Sequence, residues 1–338
     1  MSLRKDLLFT FDYELFLGAR SGTVENCLLI PTTKVLEIFD KYALSRAIFF
    51  VDTTYLLRLK ENPAAKCKAD FEKISAQLKE IADRGHYIYP HLHPHWLDAK
   101  YLPEINQWDL SNTTRYSAKA LSEEDRARLF AGSVALLNEI RGPEPELGYR
   151  AGGWCIQPFS DFKKHFEAHN ILYDFSVMPG YSCDTEFQHF DFRMTPKERI
   201  YSFSKETHIA DENGPFKEYC ISTLRIRYFN RAVNKFFSKI LHRKGITNYG
   251  DGISTHSAAL KEIRPYGHEM ASIELLSVIN IDDYLTAIDK KEYTQFISHP
   301  KMLTPHNLVC FDLMLKKVSS KYELNTDFKK INWQAASA

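Results

Sequence analysis

Short apolar runs alternate with amphipathic segments along most of this 338-residue chain, and that alternation restricts the folds open to it. The apolar runs, which are typical of buried strands, cover residues 6–11, 45–51, 87–89, 147–150, 171–175 and 295–299. Between them, residues 33–42, 69–84, 122–141 and 159–169 carry apolar side chains at the three- and four-residue spacing of amphipathic helices. This pattern predicts an α/β fold in which helices cover a parallel sheet.

The length of the chain allows one large α/β domain or two ordinary ones. No internal repeat divides the sequence, and we expect a single domain over residues 1–330. Residues from about 181 to 265 interrupt the alternation with mixed, aromatic sequence, which predicts an insertion or subdomain. Residues 331–338 are predicted to form a tail.

Composition narrows the function classes. The 44 Lys and Arg residues are balanced by 43 Asp and Glu residues, so the global charge does not indicate a nucleic-acid partner. No run approaches the ~18 apolar residues of a membrane span, and the N-terminal apolar run is too short for a signal-peptide core. The six cysteines are scattered without close pairs, as expected of free thiols in a reducing compartment. We therefore expect a cytoplasmic protein.

Two clusters of polar residues follow strand-like runs, where barrel and open α/β enzymes carry their chemistry. Asp12 and Glu14 end the first run, and their two-residue spacing puts both carboxylates on one face of an extended segment. His91, His93 and His95 follow the third run. Imidazole and carboxylate together suit zinc and similar divalent ions. One carboxylate can then bind the metal while its neighbour acts as general base.

The prolines in the histidine segment restrict its conformation. His91 and His95 are four residues apart, but Pro90 and Pro94 disfavour the middle of a helix and indicate a turn or a helix start. His93, between them, could be a ligand, a substrate contact or a surface residue.

Five motifs together resemble the polysaccharide deacetylase family (carbohydrate esterase family 4). They are residues 10–14, the pair His91 and His95, and residues 149–154, 173–176 and 297–300, in the order of the family's motifs. The resemblance implies a distorted (β/α)7-type barrel, here with an inserted basic and aromatic segment. It also implies a metal-dependent hydrolase that removes an N-acetyl group from a sugar or glycan intermediate.

The resemblance implies a role for each motif. A divalent metal, zinc first and cobalt, nickel or manganese as alternatives, would be held by Glu14, His91 and His95. Asp12 would be the general base, and Arg150 would pair with it.

For the remaining motifs, the resemblance implies that His299 protonates the leaving amine. Asp174 would hydrogen-bond behind His299 and hold its tautomer. A backbone N–H near Gly153 or Trp154 would help to hold the oxyanion. The expected substrate contacts are His93, Trp96, Gly153 and Trp154.

The first motif departs from the family pattern. Most members have two adjacent aspartates, whereas here Tyr13 separates Asp12 from Glu14. The roles of Asp12 and Glu14 could therefore be exchanged. If neither carboxylate reaches a metal, two other functions remain: a metal-free hydrolase of a cyclic amide or imide, or an inactive carbohydrate-binding relative.

A basic, aromatic segment stands apart from these motifs. Residues 219–250 contain no acidic residue, and basic side chains recur every four residues at Arg227, Arg231, Lys235, Lys239 and Arg243. A surface helix, contact with an anionic membrane and binding of a substrate phosphate all fit this pattern. We expect residues 225–244 to meet a membrane or a phosphate carrier. The substrate would then be an N-acetylated carbohydrate on a nucleotide or lipid, in cell-surface polysaccharide biosynthesis.

Overall fold

The computed structural model describes residues 3–112, 114–196, 199–254, 262–263 and 267–331. Its strands are β1 (Leu3–Tyr13), β2 (Ile48–Asp52), β3 (Tyr87–Leu92), β4 (Lys100–Leu102), β5 (Gln107–Asp109), β6 (Leu147–Ala151), β7 (Ile171–Asp174), β8 (Ser182–Asp184), β9 (His189–Asp191), β10 (Ile200–Phe203), β11 (Phe216–Tyr219), β12 (Thr223–Arg225), β13 (Glu262–Ile263), β14 (His268–Met270), β15 (Tyr293–Ser298) and β16 (Tyr322–Asn325). Its α-helices are α1 (Ile30–Lys41), α2 (Thr53–Glu61), α3 (Ala65–Asp83), α4 (Glu123–Arg141), α5 (Ser160–Ala168), α6 (Tyr228–Arg243), α7 (Ile281–Lys290) and α8 (Pro305–Ser319).

A nine-stranded sheet forms the centre of the molecule. Eight strands follow the order β10-β11-β7-β6-β3-β2-β1-β15, and β16 pairs with β1. Every pair in this sheet is parallel except β10 with β11. The six predicted apolar runs all overlap strands of this sheet, which confirms the predicted α/β class with a parallel sheet.

The sheet curls into a half-barrel. Among the described residues β11 and β15 do not pair as strands, and irregular segments that follow β11 and β14 bond to β15 instead. Ser222 N donates to Gln295 O at 3.3 Å, and Ile297 N donates to Ala271 O at 2.9 Å. The structure thus shows an α/β half-barrel, and the (β/α)7 form stays a prediction.

The helices form where the pattern predicts them. Residues 33–42, 69–84, 122–141 and 159–169 overlap α1, α3, α4 and α5. α4 begins after Ser122, whose hydroxyl accepts from Asp125 N at 3.1 Å, and three acidic residues occupy its first turn.

The alternation of side chains along β1 shows how the core positions the site. Phe9 and Phe11 pack on Phe39 of α1, whereas Leu8 joins a second apolar cluster and shares its face with Thr10 and Asp12.

The region of the expected insertion contains short strands, β8 to β13, and helix α6. The last seven residues of the predicted tail, 332–338, lie outside the described residues. Ile331 before them is buried. All six cysteines are buried, and none of them forms a disulfide bond in the structure as described. No helix among the described residues combines the length and apolar character needed to cross a bilayer.

Candidate active site

The predicted motifs converge at one edge of the sheet, where its parallel strands end. Asp12 lies near the end of β1, His91 near the end of β3, Arg150 near the end of β6, and His299 directly after β15. Because carboxyl ends of parallel strands share one edge, side chains far apart in sequence meet there.

Asp12 and Arg150 form a buried ion pair, as predicted. Arg150 Nη1 lies 2.6 Å from Asp12 Oδ1, and Arg150 Nη2 donates to Thr10 Oγ1 at 2.9 Å. Arg150 Nε donates to Phe175 O at 3.0 Å, so the guanidinium is fixed on three sides. Burial would raise the pKa of Asp12, but the charges of Arg150, His91 and His299 outweigh it and keep that pKa below its ordinary value. Asp12 is therefore ionised.

Glu14, His91 and His93 form a compact group of buried donor atoms. Glu14 Oε2 lies 2.5 Å from His93 Nε2 and 3.3 Å from His91 Nε2, and the two nitrogens are 2.9 Å apart. One donor atom from each residue lies within 4.8 Å of the others. Burial alone would raise the pKa of Glu14. Lys301 and the imidazoles lower it by more than that, so the pKa is well below its ordinary value and the carboxylate is ionised.

The hydrogen bond behind His91 suits a metal ligand. His91 Nδ1 lies 2.7 Å from Arg150 O, and a carbonyl oxygen can only accept. Nδ1 therefore carries a proton, and Nε2 is the ring atom that faces the donor group and would bind a metal once it is deprotonated. Burial lowers the pKa of His91, but Asp12 and Glu14 outweigh it and raise that pKa above its ordinary value. A carboxylate and two imidazoles facing one another in this way fit a divalent ion.

His95 takes a different place from the one predicted. Its ring stacks on Tyr116 with centroids 5.6 Å apart, and burial lowers its pKa to about 3. His93 occupies the donor group instead, because the chain stays extended through Leu92 and the 3-10 turn Pro94–Asp98 begins only afterwards. Two-residue spacing thus brings His91 and His93 to the same side. In the candidate donor group the structure replaces His95 by His93.

His299 is held by Glu274, from the segment between β14 and α7. His299 Nδ1 lies 3.2 Å from Glu274 Oε2, and the backbone N of His299 donates to the same oxygen at 2.8 Å. Its Nε2 faces both carboxylates, 3.7 Å from Asp12 Oδ2 and 3.7 Å from Glu14 Oε1. Burial lowers the pKa of His299, but Glu274, Asp12 and Glu14 together raise it to about 9. The ring is therefore an imidazolium at neutral pH.

Asp174 does not contact His299, so that predicted contact is wrong. Asp174 is fully buried, accepts from Ser176 Oγ at 2.8 Å and shares a hydrogen bond with the carboxyl group of Glu218. Burial raises the pKa of both carboxyl groups. The reason lies in the topology: Asp174 ends β7, whereas β15 pairs with β1 at the other end of the strand order.

Lys301 is a site residue that sequence reasoning missed. Its Nζ donates to Glu14 Oε1 at 2.8 Å and to Leu15 O at 2.6 Å, and the side chain is buried. Lys301 and Glu274 both come from irregular segments, where no periodic spacing marks them. Only the position of Lys301 two residues after His299 could have pointed to it.

The predicted substrate contacts fall into two groups. Trp96 is fully buried, donates from Nε1 to Asp52 Oδ2 and packs on Tyr55 with ring centroids 4.4 Å apart. Trp96 therefore lacks the exposed ring face that the predicted substrate contact requires. Gly153 and Trp154 follow β6 with φ of 58° each, and Trp154 is only partly buried.

Gly152, which precedes them, brings β6 close to the donor group. A Cβ there would lie 2.3 Å from Leu92 O and 2.9 Å from His93 Nδ1. The absence of a side chain thus allows the backbone to support His93 directly.

Comparisons with known proteins give likenesses in structure alone. No protein-family model matches the chain, and no curated protein matches its sequence. A polysaccharide deacetylase, Bc1974 from Bacillus cereus, aligns over 96% of this chain and 90% of its own at 11% identity, with a TM-score of 0.40. The catalytic domain of a peptidoglycan N-acetylglucosamine deacetylase from Eubacterium rectale aligns over 95% and 87% at 12% identity, also with a TM-score of 0.40.

A GH57-type branching enzyme from Pyrococcus horikoshii aligns over 99% of this chain and 71% of its own at 8% identity, with a TM-score of 0.49. The structural neighbours of this chain thus include polysaccharide deacetylases and glycoside hydrolase family 57 enzymes. At these identities and TM-scores, such likenesses assign neither a family nor an activity to the chain.

Proposed function

We propose that this protein is a hydrolase that removes an N-acetyl group from a sugar or glycan intermediate with the help of a divalent metal. The observation that carries the proposal is the geometry of the buried site. The Asp12–Arg150 ion pair faces His299 across 3.7 Å, directly beside the donor group of Glu14, His91 and His93. A base, an acid and a set of metal ligands are thus assembled around one gap.

Glu14, His91 and His93 would hold the metal. When bound, a divalent ion supplies Lewis-acid chemistry, polarising an acyl carbonyl and making water more acidic. Zinc suits this carboxylate and imidazole set, and cobalt, nickel and manganese accept the same ligands.

Asp12 is placed to act as general base. Arg150 fixes its Oδ1, which orients the carboxylate and keeps it ionised, while Oδ2 faces His299 at the gap. Asp12 would take a proton from the attacking water, whose oxygen bonds to the acyl carbon.

His299 is placed to act as general acid. Glu274 holds Nδ1–H, so the proton on Nε2 points toward the gap. Its side chain is 21% exposed, which makes this part of the site reachable from solvent. His299 would give its Nε2 proton to the amide nitrogen as the C–N bond breaks, which releases an amine and acetate.

Support for an N-acetylated carbohydrate comes from the ordered motifs of the sequence. The resemblance to polysaccharide deacetylases rests on five motifs, and residues 10–14, His91, residues 149–154 and residues 297–300 of these motifs meet at the site. The basic residues of segment 225–244 are the reason for proposing a nucleotide- or lipid-linked intermediate of cell-surface polysaccharide biosynthesis as the substrate class.

A metal-free hydrolase of a cyclic amide or imide is the second candidate, and Lys301 favours it. The two carboxylates of the gap are already balanced by two buried cations, Glu14 by Lys301 and Asp12 by Arg150. A divalent ion would add positive charge to this balanced set.

Metal analysis of the purified protein separates the two candidates. We expect about one equivalent of metal in the wild type and none in the double variant His91→Ala/His93→Ala, since two ligands are lost. His95→Ala is the matched control and should keep its metal. Acetate release from N-acetylated sugars should follow the metal content. A wild type that stays metal-free after incubation with zinc or cobalt would refute the metal-dependent reaction and favour the second candidate.

A further inference from the structure

Helix α6 (Tyr228–Arg243) is attached to the body of the protein by one narrow side. Of its residues only Asn230 is buried. Tyr228, Phe229 and Phe236 are 81%, 75% and 67% exposed, although aromatic side chains of this size are usually covered.

The contacts of α6 define its inner side. Asn230 Nδ2 donates to Asp283 Oδ2 at 2.8 Å, and the ring of Phe237 lies 5.4 Å from that of His306. Residues 230 and 237 are seven positions apart and therefore share one face of the helix. Phe229 and Phe236, each one residue earlier, project about 100° away from that face.

Two stripes run side by side along the outer part of α6. The apolar stripe contains Phe229, Val233, Phe236 and Ile240, and the basic stripe contains Arg231, Lys235, Lys239 and Arg243. Both follow helical spacing, and their exposed members face outward together: Phe229, Lys235, Phe236, Lys239 and Arg243.

Among the described residues, three of the four cations of the basic stripe have no carboxylate partner. Arg231 at its start lies 2.7 Å from Glu269. Within the part of the chain that the structure describes, no carboxylate oxygen lies within 4.0 Å of Lys235, Lys239 or Arg243. Residues 219–250 contain no acid, although the whole chain has a net charge of only +1. The charge is thus concentrated on this helix.

More cations lie at the start of α6. A cleft of about 920 Å³ there is lined by six cations, among them Arg199, Arg225, Lys290 and Lys291, and by two acids, Asp282 and Asp283. The described residues place no carboxylate within 4.0 Å of these four cations either. They extend the positive potential of α6 beyond the helix itself.

We propose that α6 binds an anionic membrane surface, with Tyr228, Phe229 and Phe236 entering the interface and the basic stripe meeting lipid phosphates. Exposed aromatic side chains beside lysines on an amphipathic helix are what interfacial binding requires. A second copy of this chain is a poor occupant. In a two-fold contact through this face, the basic stripe of one copy would lie against the basic stripe of the other, and the like charges would repel.

Membrane binding would also bring the active site near the lipid surface. α6 contributes Asn234, Ser238 and Leu241 to a cleft of about 470 Å³ that Glu274 also lines. Glu274 is the partner of His299, so this cleft borders the catalytic gap. The step from membrane binding to a lipid-linked substrate rests on the proposed function, whereas membrane binding itself does not.

Vesicle co-sedimentation of the full chain tests the proposal. We expect the wild type to sediment with vesicles of phosphatidylcholine and phosphatidylglycerol, and to stay in solution with phosphatidylcholine alone. The variants Phe229→Ser/Phe236→Ser and Lys235→Glu/Lys239→Glu should each weaken binding about tenfold or more, because each removes one of the two contributions.

Matched controls change the same residue types elsewhere. Met194→Ser/Ile209→Ser removes exposed apolar side chains, and Lys100→Glu/Lys119→Glu reverses exposed charges; both should bind like the wild type. Equal binding of neutral and anionic vesicles, or α6 variants that bind like the wild type, would overturn the proposal. So would a wild type that binds no vesicle but binds single-stranded DNA, or forms a dimer that the phenylalanine variants dissociate.

The metal content and the release of acetate from a water-soluble substrate should not change in the α6 variants. These two measurements therefore report on the proposed reaction separately from vesicle binding.

Discussion

At the level of single residues, the site is organised around two carboxylates that have different partners. Asp12 is held by Arg150 and Glu14 by Lys301, and His299 faces both. The two carboxylates are therefore distinguishable by the cations beside them, and each partner can be tested alone.

Arg150→Met should abolish acetate release and destabilise the protein. It leaves the Asp12 carboxylate buried without its partner, which typically costs about 3–5 kcal/mol of unfolding free energy. Urea denaturation and the acetate assay measure the two effects. Arg150→Lys, which keeps the charge but not the planar set of hydrogen bonds, should recover part of the stability and little of the activity. Full activity in Arg150→Met would contradict the role given to Asp12.

Glu274→Gln should shift the alkaline limb of the pH–rate profile to lower pH. Glu274 is the leading cause that raises the pKa of His299, to about 9, against the effect of burial. Activity that needs the protonated His299 ring is lost as pH rises through this pKa. Removing the negative charge of Glu274 lowers the pKa, so activity should be lost at a pH nearer 6.5, the ordinary value for histidine. The profile of kcat/KM checks this. Asp174→Asn is the control and should leave the alkaline limb unchanged. A shift of that limb in Asp174→Asn, and none in Glu274→Gln, would contradict the assignment of Glu274 as the partner of His299.

At the level of elements, the period of two along a strand explains which site residues were predictable. Asp12 lies on the inward face of β1 with Leu8 and Thr10, and the sequence shows this spacing directly. The family resemblance points to His95, but the chain stays extended up to Pro94, so His93 joins His91 instead. Glu274 and Lys301 approach from irregular segments, and their contacts depend on tertiary packing that no local pattern encodes.

Gly152→Ala should weaken metal binding and lower stability. The new Cβ would collide with Leu92 O and press on His93, displacing a proposed ligand. We expect zinc affinity to fall about 10–100-fold, the usual range for a disturbed ligand support. Isothermal titration with zinc measures it. In the control Gly132→Ala, the Cβ would make only ordinary contact with Leu57, 3.4 Å away, and affinity should not change.

His86, just before β3, should make stability depend on pH. Burial lowers its pKa from 6.5 to about 4, and its Nδ1 accepts from Ala47 N at 3.2 Å. Because the folded state binds fewer protons than the unfolded state between these two pKa values, the unfolding free energy falls as pH drops through that window. The loss from this group should reach about 2 kcal/mol between pH 7.5 and 5. Urea denaturation of His86→Gln should show a smaller loss; an identical one would contradict this assignment.

At the level of the whole molecule, bound metal should stabilise the fold. An ion that binds only the folded state raises the unfolding free energy by about 2.7 kcal/mol at a hundredfold excess over Kd. Thermal unfolding with and without zinc, and after treatment with a chelator, measures this shift. His95→Ala should retain the shift, and His91→Ala/His93→Ala should lose it. A shift of equal size in the double variant would place the metal elsewhere.

The α/β class and its parallel sheet could be predicted because they depend on patterns repeated over the whole chain. The half-barrel depends instead on how segment 219–222 and Ala271 connect to β15, and these contacts join residues without regular spacing. The basic segment 225–244 likewise has one feature that the sequence predicts and one that depends on tertiary packing. Its helix was among the predicted possibilities, but the exposure of Phe229 and Phe236 follows only from how α6 sits on the body.

The buried cysteines give the molecule a set of internal reporters. Cys27, Cys67 and Cys310 belong to one apolar cluster, and Cys183 and Cys220 belong to the other. A thiol that is covered in the folded state reacts with an alkylating reagent only when its surroundings open. The order in which these five positions are labelled would therefore show whether the two halves of the core open together or one after the other.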